Sequence, residues 1–589
     1  MRIDRSRPAV RTGLKFASRI ALIVALGIAS GTLASLAAVG FVELVAVLNE
    51  WFLISPRSRF IVDNEPLLLV ATVGVPAAGG LVVGLIHRAV PGGRSHGPAD
   101  IIQSVQTMDG RIPVRTGFLS AAAGIVSLGA GASVGQYGPL AHLGATLGSL
   151  VARVNRDNRW IATVGVGCGV AAVISTAFNA PIAGIIFAHE VILRHYSLRA
   201  FAPITIAATM GHVMANVVFK RPPLFRVEAI TVNFAPEFLG FILVGMVGSL
   251  IAVIYMHAIL QANRISRQLP VAECLKPMLA GALLGLAAIW LPDILGIGKE
   301  TLRFAVIDHA FVPGELAFLL VAKILATALC IGFGFAGGVF SPALLIGILF
   351  GALAGNGAEL VFGDLRSDLA IYAICGMVSV TSAVIGAPLT TILIVFELTR
   401  NYDLATAAMV SVVVSNMVSY RLFGRSLFDV QLGMRGFDLS VGREKAVLDR
   451  RFIECYVTQD YTGFAPDVSL AEAESHLLRT RRHEGYVVDA DGAYLGTVKL
   501  GDLVARRQDG GTESGATVAR VAQPEPLILT ARTSVWQAMA EMGDFVGESI
   551  PVLEDFDNRR MLGVVFEASI VKAYLDTLKD IRHEENAGA

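Results

Sequence analysis

The chain has 589 residues, of which 54% are hydrophobic and 16% are charged, and its formal net charge at pH 7 is zero. This composition excludes an ordinary soluble enzyme, gives no sign of a nucleic-acid partner and predicts an integral membrane protein in a lipid bilayer. A membrane-spanning helix needs ~20 apolar residues, so the longer apolar runs contain two helices or one broken helix. The runs are residues 20–48, 68–90, 117–154, 160–191, 200–219, 236–261, 277–291, 316–360, 368–398 and 403–420.

The first and last apolar runs are flanked by basic residues. Six arginines and lysines lie within residues 1–19, and five lie within residues 421–445. By the positive-inside rule both ends of the chain are cytoplasmic, so the chain crosses the membrane an even number of times. The first run is too long for a removable signal peptide and lacks a convincing cleavage site. We therefore expect a retained first helix, preceded by a cytoplasmic segment at 1–19, in a bacterial inner membrane.

One pattern occurs twice in the apolar part of the chain. Residues 135–148 begin with Gly-Gln-Tyr-Gly-Pro, residues 338–351 begin with Gly-Val-Phe-Ser-Pro, and two further glycines follow each at the same spacing. Each copy is followed by an Ala-Pro pair and then, at equal distance, by a glutamate, either Glu190 or Glu397. These matches predict a duplicated apolar unit, with one copy at about 20–220 and the other at about 234–425.

In each copy a glycine-rich break precedes a long apolar helix. A helix that begins inside a membrane protein points unsatisfied N–H groups and a partial positive charge inward. Two such helix starts, one from each half, are a common way to build an anion site near the membrane midplane. The repeated motif therefore predicts an anion-binding site between the two halves.

The composition changes near residue 425, where continuous apolar runs end and charged residues become frequent. Beyond a predicted linker at 426–451, a strand–helix–strand–strand–helix order occurs twice, at 452–508 and at 517–578, and a tail follows at 579–589. This order resembles a tandem pair of CBS domains, which implies a compact cytoplasmic module.

The two glycine motifs, the stretch at 178–184 and the C-terminal pair together resemble the CLC family of chloride channels and proton/chloride antiporters. The resemblance extends from about residue 20 to the end of the chain. It implies an all-α polytopic membrane fold, built as an inverted repeat with broken helices and followed by an α/β CBS module, and a homodimer with one anion pathway per subunit. It assigns to that pathway Ser95, His96, Gly97, Gly135, Gln136, Tyr137, Gly138, Pro139, Gly338, Val339, Phe340, Ser341, Pro342 and Phe428.

The chain departs from the family pattern at four functional positions. The family's first motif, Gly-Ser-Gly-Ile-Pro or Gly-His-Gly-Val-Pro, is here Ser-His-Gly-Pro-Ala, so either Ser95 or His96 is expected to reach the central anion. The motif glutamate that plugs the pathway and carries the proton in the family is Tyr137. The family's inner tyrosine corresponds to Phe428, and its internal proton-transferring glutamate corresponds to Val191.

These substitutions change the chemistry expected of the pathway. A tyrosine ionises near a pKa of about 10, so Tyr137 neither mimics a bound anion nor cycles a proton at physiological pH. Its hydroxyl can donate a hydrogen bond to an anion, worth roughly 1.5–3 kcal/mol, whereas Phe428 has no such donor. We expect a passive pathway for chloride, or for bicarbonate, nitrate or another small oxyanion. A second interpretation makes Tyr137 a bulky lid that closes the pathway.

Other functions stay open on sequence alone. A proton/anion antiporter could use Glu190 or His96 as its acid, although Glu190 is also placed to anchor a helix end. The CBS pair could gate the channel, or the membrane part could be a vestigial sensor, which the intact helix starts and Pro342 oppose. The chain has no metalloprotease, serine-hydrolase or phosphate-loop motif, so we predict that it is not an enzyme.

No cofactor or metal is predicted to be required. The five cysteines occur singly, without the spacing of a metal site or a disulfide framework. Asp502 in the first CBS unit matches the aspartate that binds nucleotide in that family, whereas the second unit has Ser569 at the corresponding position. The pair therefore has half of the ribose-binding pattern, and an adenine nucleotide stays an open candidate ligand there.

Overall fold

The structure, a computed structural model, describes residues 8–55, 59, 65–107, 110–154, 159–221, 234–307, 309–363, 367–437, 443–508, 516–524, 527–545 and 547–586. The chain forms two compact units, Met1–Gly436 and Phe437–Ala589. Among the described helices, eight are long and apolar enough to cross a membrane. A helical membrane domain is thus followed by a smaller α/β unit, which confirms the predicted fold class.

The first half of the membrane domain contains eight labelled helices in its described part. They are α1 (Pro8–Trp51), α2 (Glu65–Ala89), α3 (Pro98–Thr107), α4 (Val114–Gly129), α5 (Tyr137–Ala152), α6 (Arg159–Phe178), α7 (Pro181–Phe187, continued by a π-helical turn at Ala188–Leu193) and α8 (Leu198–Val213, continued by a π-helical turn at Met214–Val218).

The second half begins with a long helix and ends with a short one. Its helices are α9 (Phe234–Gln268), α10 (Lys276–Ala288), α11 (Lys299–Phe304), α12 (Pro313–Gly332), α13 (Phe340–Phe362), α14 (Leu369–Ile385), α15 (Pro388–Thr399), α16 (Tyr402–Leu422) and α17 (Leu427–Gly433). The helices α5, α6 and α7 correspond in order to α13, α14 and α15.

The repeated glycines allow each broken helix to touch its neighbour along the backbone. A Cβ placed on Gly148 of α5 would lie 1.9 Å from the carbonyl oxygen of Gly165 on α6. A Cβ placed on Gly351 of α13 would lie 2.3 Å from the carbonyl oxygen of Tyr372 on α14. No side chain fits at these distances, so the duplicated glycine spacing is a packing requirement of the α5–α6 and α13–α14 pairs.

Both halves also break the chain at their Ala-Pro pairs. Before these pairs, Asn179 has a φ of 59° and Gly386 has a φ of 68°, and such left-handed conformations end the preceding helices. Pro181 and Pro388 then occupy the first positions of α7 and α15. Proline suits a helix start because its fixed φ is helical and its missing N–H would have no partner there.

The C-terminal unit contains short helices and strands in a repeated order. Its described elements are α18 (Arg443–Leu448), β1 (Gly463–Phe464), α19 (Leu470–Thr480), β2 (Glu484–Val488), β3 (Tyr494–Lys499), α20 (Leu500–Gln508), α21 (Val518–Val521), β4 (Leu529–Thr530), α22 (Val535–Glu541), β5 (Ser549–Leu553), β6 (Met561–Phe566) and α23 (Glu567–Asn586).

The strands form two small mixed sheets of the same design. In the orders β1-β2-β3 and β4-β5-β6, the first pair of strands is parallel and the second pair is antiparallel. The two halves meet where the buried Glu484 carboxylate accepts hydrogen bonds from the Ser549 N–H at 3.0 Å and from the Ser549 hydroxyl at 2.6 Å. This repeated arrangement is consistent with the CBS pair that the sequence predicts.

Two predicted segments, the linker at 426–451 and the tail at 579–589, contain helical residues in the structure. The membrane unit extends to Gly436 and includes α17, because Ser426 and Asp429 form a capping box that starts this helix. α18 packs into the core of the second unit, so residues of the predicted linker at 426–451 lie in both units. The last helix, α23, continues to Asn586, because no glycine or proline interrupts it, and most of the predicted tail is therefore helical.

Candidate functional site

The two glycine motifs meet at one point inside the membrane domain. The Gly135 N–H donates to the Gly338 carbonyl at 2.7 Å, and the Gly338 N–H donates to the Gly135 carbonyl at 2.7 Å. This two-way antiparallel bridge joins the residues that precede α5 and α13. The duplicated motif therefore brings the first turns of two long helices together.

Both helix starts leave their first-turn N–H groups without a side-chain cap. Neither Gln136 before α5 nor Val339 before α13 accepts such a bond. The backbone N–H of Gln136 lies 3.3 Å from the hydroxyl of Ser341, which links the two motifs again. Uncapped N–H groups and two converging helix dipoles make this junction attractive to an anion.

Tyr137 lies in an aromatic cluster at the start of α5. Its side chain is 4% exposed, its ring stacks on Phe178 with centroids 4.2 Å apart, and it meets Phe340 edge to face at 5.2 Å. Phe178 and Phe340 are 5.3 Å apart, so the three rings contact one another. The sequence identified Tyr137 and Phe340 as pathway residues but did not single out Phe178. The sequence feature that could have indicated Phe178 is its position directly before the Asn-Ala-Pro helix break.

The segment before α3 is held by polar contacts. The Ser95 hydroxyl lies 2.8 Å from the His87 ring nitrogen Nε2, and the His96 N–H donates to the Ser120 hydroxyl at 3.0 Å. The Gly97 N–H donates to the Asp100 carboxylate at 2.9 Å. Asp100, which sequence reasoning missed, lies in the first turn of α3 and caps the N-terminus of its own helix.

Asp100 also joins two arginines that are far apart in sequence. Its carboxylate pairs with Arg94 at 2.6 Å and with Arg435, beyond α17, at 3.0 Å. Burial raises the pKa of this carboxyl, but the hydrogen bonds and charge of Arg94 and the charge of Arg435 outweigh that effect and leave the pKa below its ordinary value. Asp100 is therefore ionised at neutral pH, and the three groups together bear one net positive charge.

A second histidine lies next to His96 and was not identified from the sequence. His142 on α5 is 1% exposed, and its ring meets the His96 ring edge to face with centroids 5.5 Å apart. Its Nδ1 atom is buried and has no hydrogen-bond partner within the described residues. The sequence feature that could have indicated His142 is a single polar side chain near the start of the apolar helix that begins at the glycine motif.

The two repeat-matched glutamates cap each other's helices. The Glu190 carboxylate, after α7, accepts from the N–H groups of Leu389 and Thr390 at 3.0 and 2.9 Å and from the Thr390 hydroxyl at 2.7 Å, at the start of α15. The Glu397 carboxylate of α15 accepts from the N–H groups of Ile182 and Ala183 at 2.9 and 2.8 Å, at the start of α7. Both carboxylates therefore hold helix ends.

Phe428 and Val191 are both buried, and both side chains are apolar. Phe428 lies in the first turn of α17, which packs against α3. The position of α17 is fixed by an ion pair between Arg194 and Asp429 at 2.6 Å. The structure thus places Phe428 on an anchored helix beside the segment that follows His96.

The predicted nucleotide residue lies in the C-terminal unit. Asp502 is exposed in the first turn of α20. Metal ligands were not predicted, and across the described ranges no group of three or more histidine, cysteine, aspartate or glutamate side chains is placed to hold a metal ion.

A duplicated helical membrane domain with two helix starts converging on an uncapped junction defines a membrane anion-transport protein. The family described as "Voltage gated chloride channel" matches residues 78–420, more than half of the chain. The chain therefore belongs to this family, the CLC family, as the motifs predict.

Curated relatives and solved structures agree with this assignment. The chain is 26% identical over 403 residues to a ClcB-like chloride channel protein of Ralstonia nicotianae, covering 68% of this chain and 94% of the relative. It is 26% identical over 409 residues to the voltage-gated ClC-type chloride channel ClcB of Escherichia coli, covering 68% of this chain and 96% of the relative.

Two solved structures share the fold. A slow cyanobacterial Cl⁻/H⁺ antiporter has a TM-score of 0.64 at 22% identity, covering 70% of this chain and 98% of that protein. A eukaryotic CLC transporter has a TM-score of 0.61 at 19% identity and covers 94% of this chain and 98% of that protein. The second likeness extends over the C-terminal α/β unit as well as the membrane domain.

Proposed function

We propose that this CLC protein is a passive anion pathway that is not coupled to protons through a gate carboxylate. The observation that supports this proposal is Tyr137 at the first position of α5, in contact with the aromatic rings of Phe178 and Phe340. Where the family motif has a glutamate that competes with the anion and carries a proton, this chain has a neutral phenol. Its hydroxyl can help to bind an anion by donating a hydrogen bond.

The second proton-relay position of the family is also without an acid. Val191 is apolar and buried, and the neighbouring Glu190 has both carboxylate oxygens engaged at the start of α15. Protonation of Glu190 would weaken three hydrogen bonds to a helix end, so a proton-carrying role would oppose its anchoring role. This argument favours a channel or uniporter over an exchanger.

Proton/anion antiport is the second candidate, because one of the solved structures that share the fold is a Cl⁻/H⁺ antiporter. In that case another acid must replace the gate glutamate, and Glu190 and His96 are the candidates. The aromatic cluster around Tyr137 also allows a third behaviour, in which the ring closes the pathway until the C-terminal unit or another signal moves it.

The deciding experiment uses the purified full-length protein in liposomes and records anion efflux and internal pH together. We expect chloride efflux without proton movement. Uptake of protons driven by a chloride gradient would overturn the passive pathway and favour antiport. Bicarbonate is tested second, with protein-free liposomes as the control because its neutral acid crosses the bilayer unaided.

Chloride is the default substrate of the family, and bicarbonate or nitrate are the alternatives. A phenolic donor at Tyr137, with no gate carboxylate, suits a planar anion that accepts several hydrogen bonds. We further propose a homodimer in a bacterial inner membrane with both termini in the cytoplasm, acting as a transporter and not as an enzyme. No cofactor is required in this proposal, and an adenine nucleotide near Asp502 is the candidate regulatory ligand.

A further inference from the structure

The helix α6, which carries Phe178 at its end, is followed by a residue with a left-handed backbone. Asn179 has a φ of 59°. The next N–H, from Ala180, donates back to the Ser175 carbonyl at 3.2 Å, which is the bond that closes a helix ending of this kind. Glycine adopts the left-handed region freely, whereas a residue with a Cβ does so at a cost. An additional contact that stabilises this turn is therefore expected.

Asn216, on the π-helical turn after α8, supplies that contact. The Asn179 amide nitrogen donates to the Asn216 Oδ1 atom at 2.9 Å, and the Asn216 amide nitrogen donates back to the Asn179 Oδ1 atom. The same nitrogen of Asn216 lies 3.0 Å from Nδ1 of His212, one turn earlier on α8. Single π-helical turns occur frequently at functional sites. The two amides form a reciprocal pair that joins this turn to the helix break.

Polar contacts between α6 and α8 also occur before the break. The Ser175 hydroxyl donates to the Ala208 carbonyl at 2.7 Å, and the Thr176 hydroxyl donates to the Gly211 carbonyl at 3.2 Å. These bonds hold α6 as far as residue 176, and the amide pair extends the row to the break itself. Because helix ends fray most easily, the orientation of Phe178, at the last position of α6, depends on the amide pair.

Phe178 is the ring on which Tyr137 stacks, with centroids 4.2 Å apart. A shift at the end of α6 would separate these rings and leave the Tyr137 ring less firmly oriented. We infer that Asn216 is a positioning residue of the anion pathway, which acts through Asn179 to hold the Phe178 ring against Tyr137. The inference rests on the proposed function, because its effect is measured as binding of chloride beside Tyr137.

The second half reaches the same backbone conformation with a glycine. Its left-handed residue is Gly386, with a φ of 68°, and glycine adopts this conformation without help from a side chain. The residue before it, Ile385, has no aromatic ring. Asn416 on α16 donates to the Ser382 hydroxyl at 2.6 Å, four residues before Gly386. Asn416 therefore ties two helices together at a half-buried site, as Asn216 does, without holding an aromatic ring, and it offers a matched control.

The first test compares Asn216→Leu with Asn416→Leu in the full-length protein in detergent, by titration calorimetry with chloride. Leucine has a similar size to asparagine and removes the hydrogen bonds. Both variants should melt below the native protein. Only Asn216→Leu should bind chloride more weakly, by about fivefold, the order expected for loss of one aromatic contact. Native affinity in folded Asn216→Leu, or an equal fall in both variants, overturns the inference.

The second test adds a glycine at the break. Asn179→Gly combined with Asn216→Leu provides the left-handed backbone without the amide pair, as Gly386 does in the second half. We expect this double variant to recover most of the lost chloride affinity, while its melting temperature stays below the native value because the hydrogen bonds are still absent. Failure to recover affinity overturns the positioning role. If Asn216→Leu does not fold, Asn216→Ser, which also lacks the amide, replaces it in both tests.

The outcomes separate this inference from the proposed function. If the native protein carries chloride without protons and Asn216→Leu binds chloride as Asn416→Leu does, the passive pathway stands and only the positioning role of Asn216 is overturned. If the native protein, folded by its thermal transition, neither binds nor carries chloride, the proposed function fails and the positioning role fails with it.

Discussion

The start of α5 and the start of α13 have the same backbone and different side chains. Each helix begins after a glycine, and the N–H and carbonyl groups of the two glycines form reciprocal hydrogen bonds of 2.7 Å. Each helix also has a proline two residues after its first residue. At the position before the helix and at its first residue, however, α5 has Gln136 and Tyr137 while α13 has Val339 and Phe340. The two helix starts therefore share a backbone geometry but differ in the side chains that an anion could meet.

This difference shows which part of a duplicated site is fixed by packing and which is free to change. The glycines cannot vary, because any Cβ at Gly338 would lie 2.7 Å from the Gly138 nitrogen. The side chains at 137 and 340 only need to be aromatic to keep the contact between their rings. A polar substituent on one ring can therefore alter anion binding without disturbing the helix starts.

The largest effect is expected where the shared backbone is broken. Gly338→Val would force atoms into the backbone of Gly138, which lies 2.7–3.0 Å from the added Cβ. Such overpacking costs roughly 1–3 kcal/mol or more even in adaptable cores, and here it would also separate the two helix starts. We expect loss of folded protein, or folded protein without chloride flux, measured by size-exclusion chromatography and liposome efflux.

The control for this variant lies on α13, the helix that Gly338 precedes. Gly357→Val places the same side chain where no atom of the described residues lies within 4 Å of the added Cβ, so folding and flux are expected to stay near the native values. Native flux from Gly338→Val would show that the close approach of the two motifs is not needed for transport.

The sequence predicted the membrane class, the duplication and the convergence of the two motifs, because glycine spacing and helix breaks are local signals. It did not predict the neighbours that complete the site. Phe178 stacks on Tyr137 from another helix, and Arg435 reaches Asp100 from beyond α17. Such contacts depend on how distant helices pack, which no local pattern in one sequence records. The position of α17 depends on a distant contact in the same way, since its ion pair comes from Arg194.

The next largest effect is expected from the hydroxyl group that distinguishes the Tyr137 ring from the Phe340 ring. Tyr137→Phe removes the one polar atom that distinguishes the aromatic residue of α5 from Phe340, while the ring contacts stay. Loss of a hydrogen bond to an anion costs roughly 1.5–3 kcal/mol, so chloride affinity should fall by about tenfold or more, measured by titration calorimetry. Phe340→Tyr is the reciprocal variant, and it should not lower the affinity because it adds a donor and removes none.

If Tyr137→Phe binds chloride as tightly as the native protein, the hydroxyl does not contact the anion. The Tyr137 ring would then act through its stacking on Phe178 alone, as a lid, and flux would respond to the size of the residue at 137. Tyr137→Ala would separate these cases, since removal of a lid raises flux and removal of a ligand lowers it.

A smaller effect is expected at the second symmetric feature, the exchange of glutamate caps. Glu190→Ala leaves three donors at the start of α15 without an acceptor, whereas Glu397→Ala leaves two at the start of α7. Because unpaired donors at partly buried helix ends cost ~1–2 kcal/mol each at most, both variants should melt below the native protein, and Glu190→Ala should melt lowest.

Thermal transitions in detergent measure this order, and the conservative Glu190→Gln should lie between native and Glu190→Ala because one acceptor remains. Flux from both alanine variants should stay uncoupled from protons. Proton movement that is present in the native protein and lost only in Glu190→Ala would give Glu190 the transport role that its engaged oxygens argue against.

The smallest effect tests whether the two halves differ at the ends of their capped helices. Arg194 and Arg400 both have left-handed backbones, at the end of the π-helical turn after α7 and at the end of α15. Among the described residues Arg194 is tied to α17, through Asp429 at 2.6 Å, and each side chain of this pair is about a fifth exposed. Partly exposed ion pairs contribute up to ~1 kcal/mol, so Arg194→Ala should lower the melting temperature slightly. Arg400 is exposed, and Arg400→Ala should leave the melting temperature unchanged.

Since Phe428 lies in the first turn of α17, loss of the Arg194–Asp429 ion pair should change chloride flux by about twofold or less. A larger change would mean that α17 itself, and not only the junction of the two motifs, limits passage of the anion.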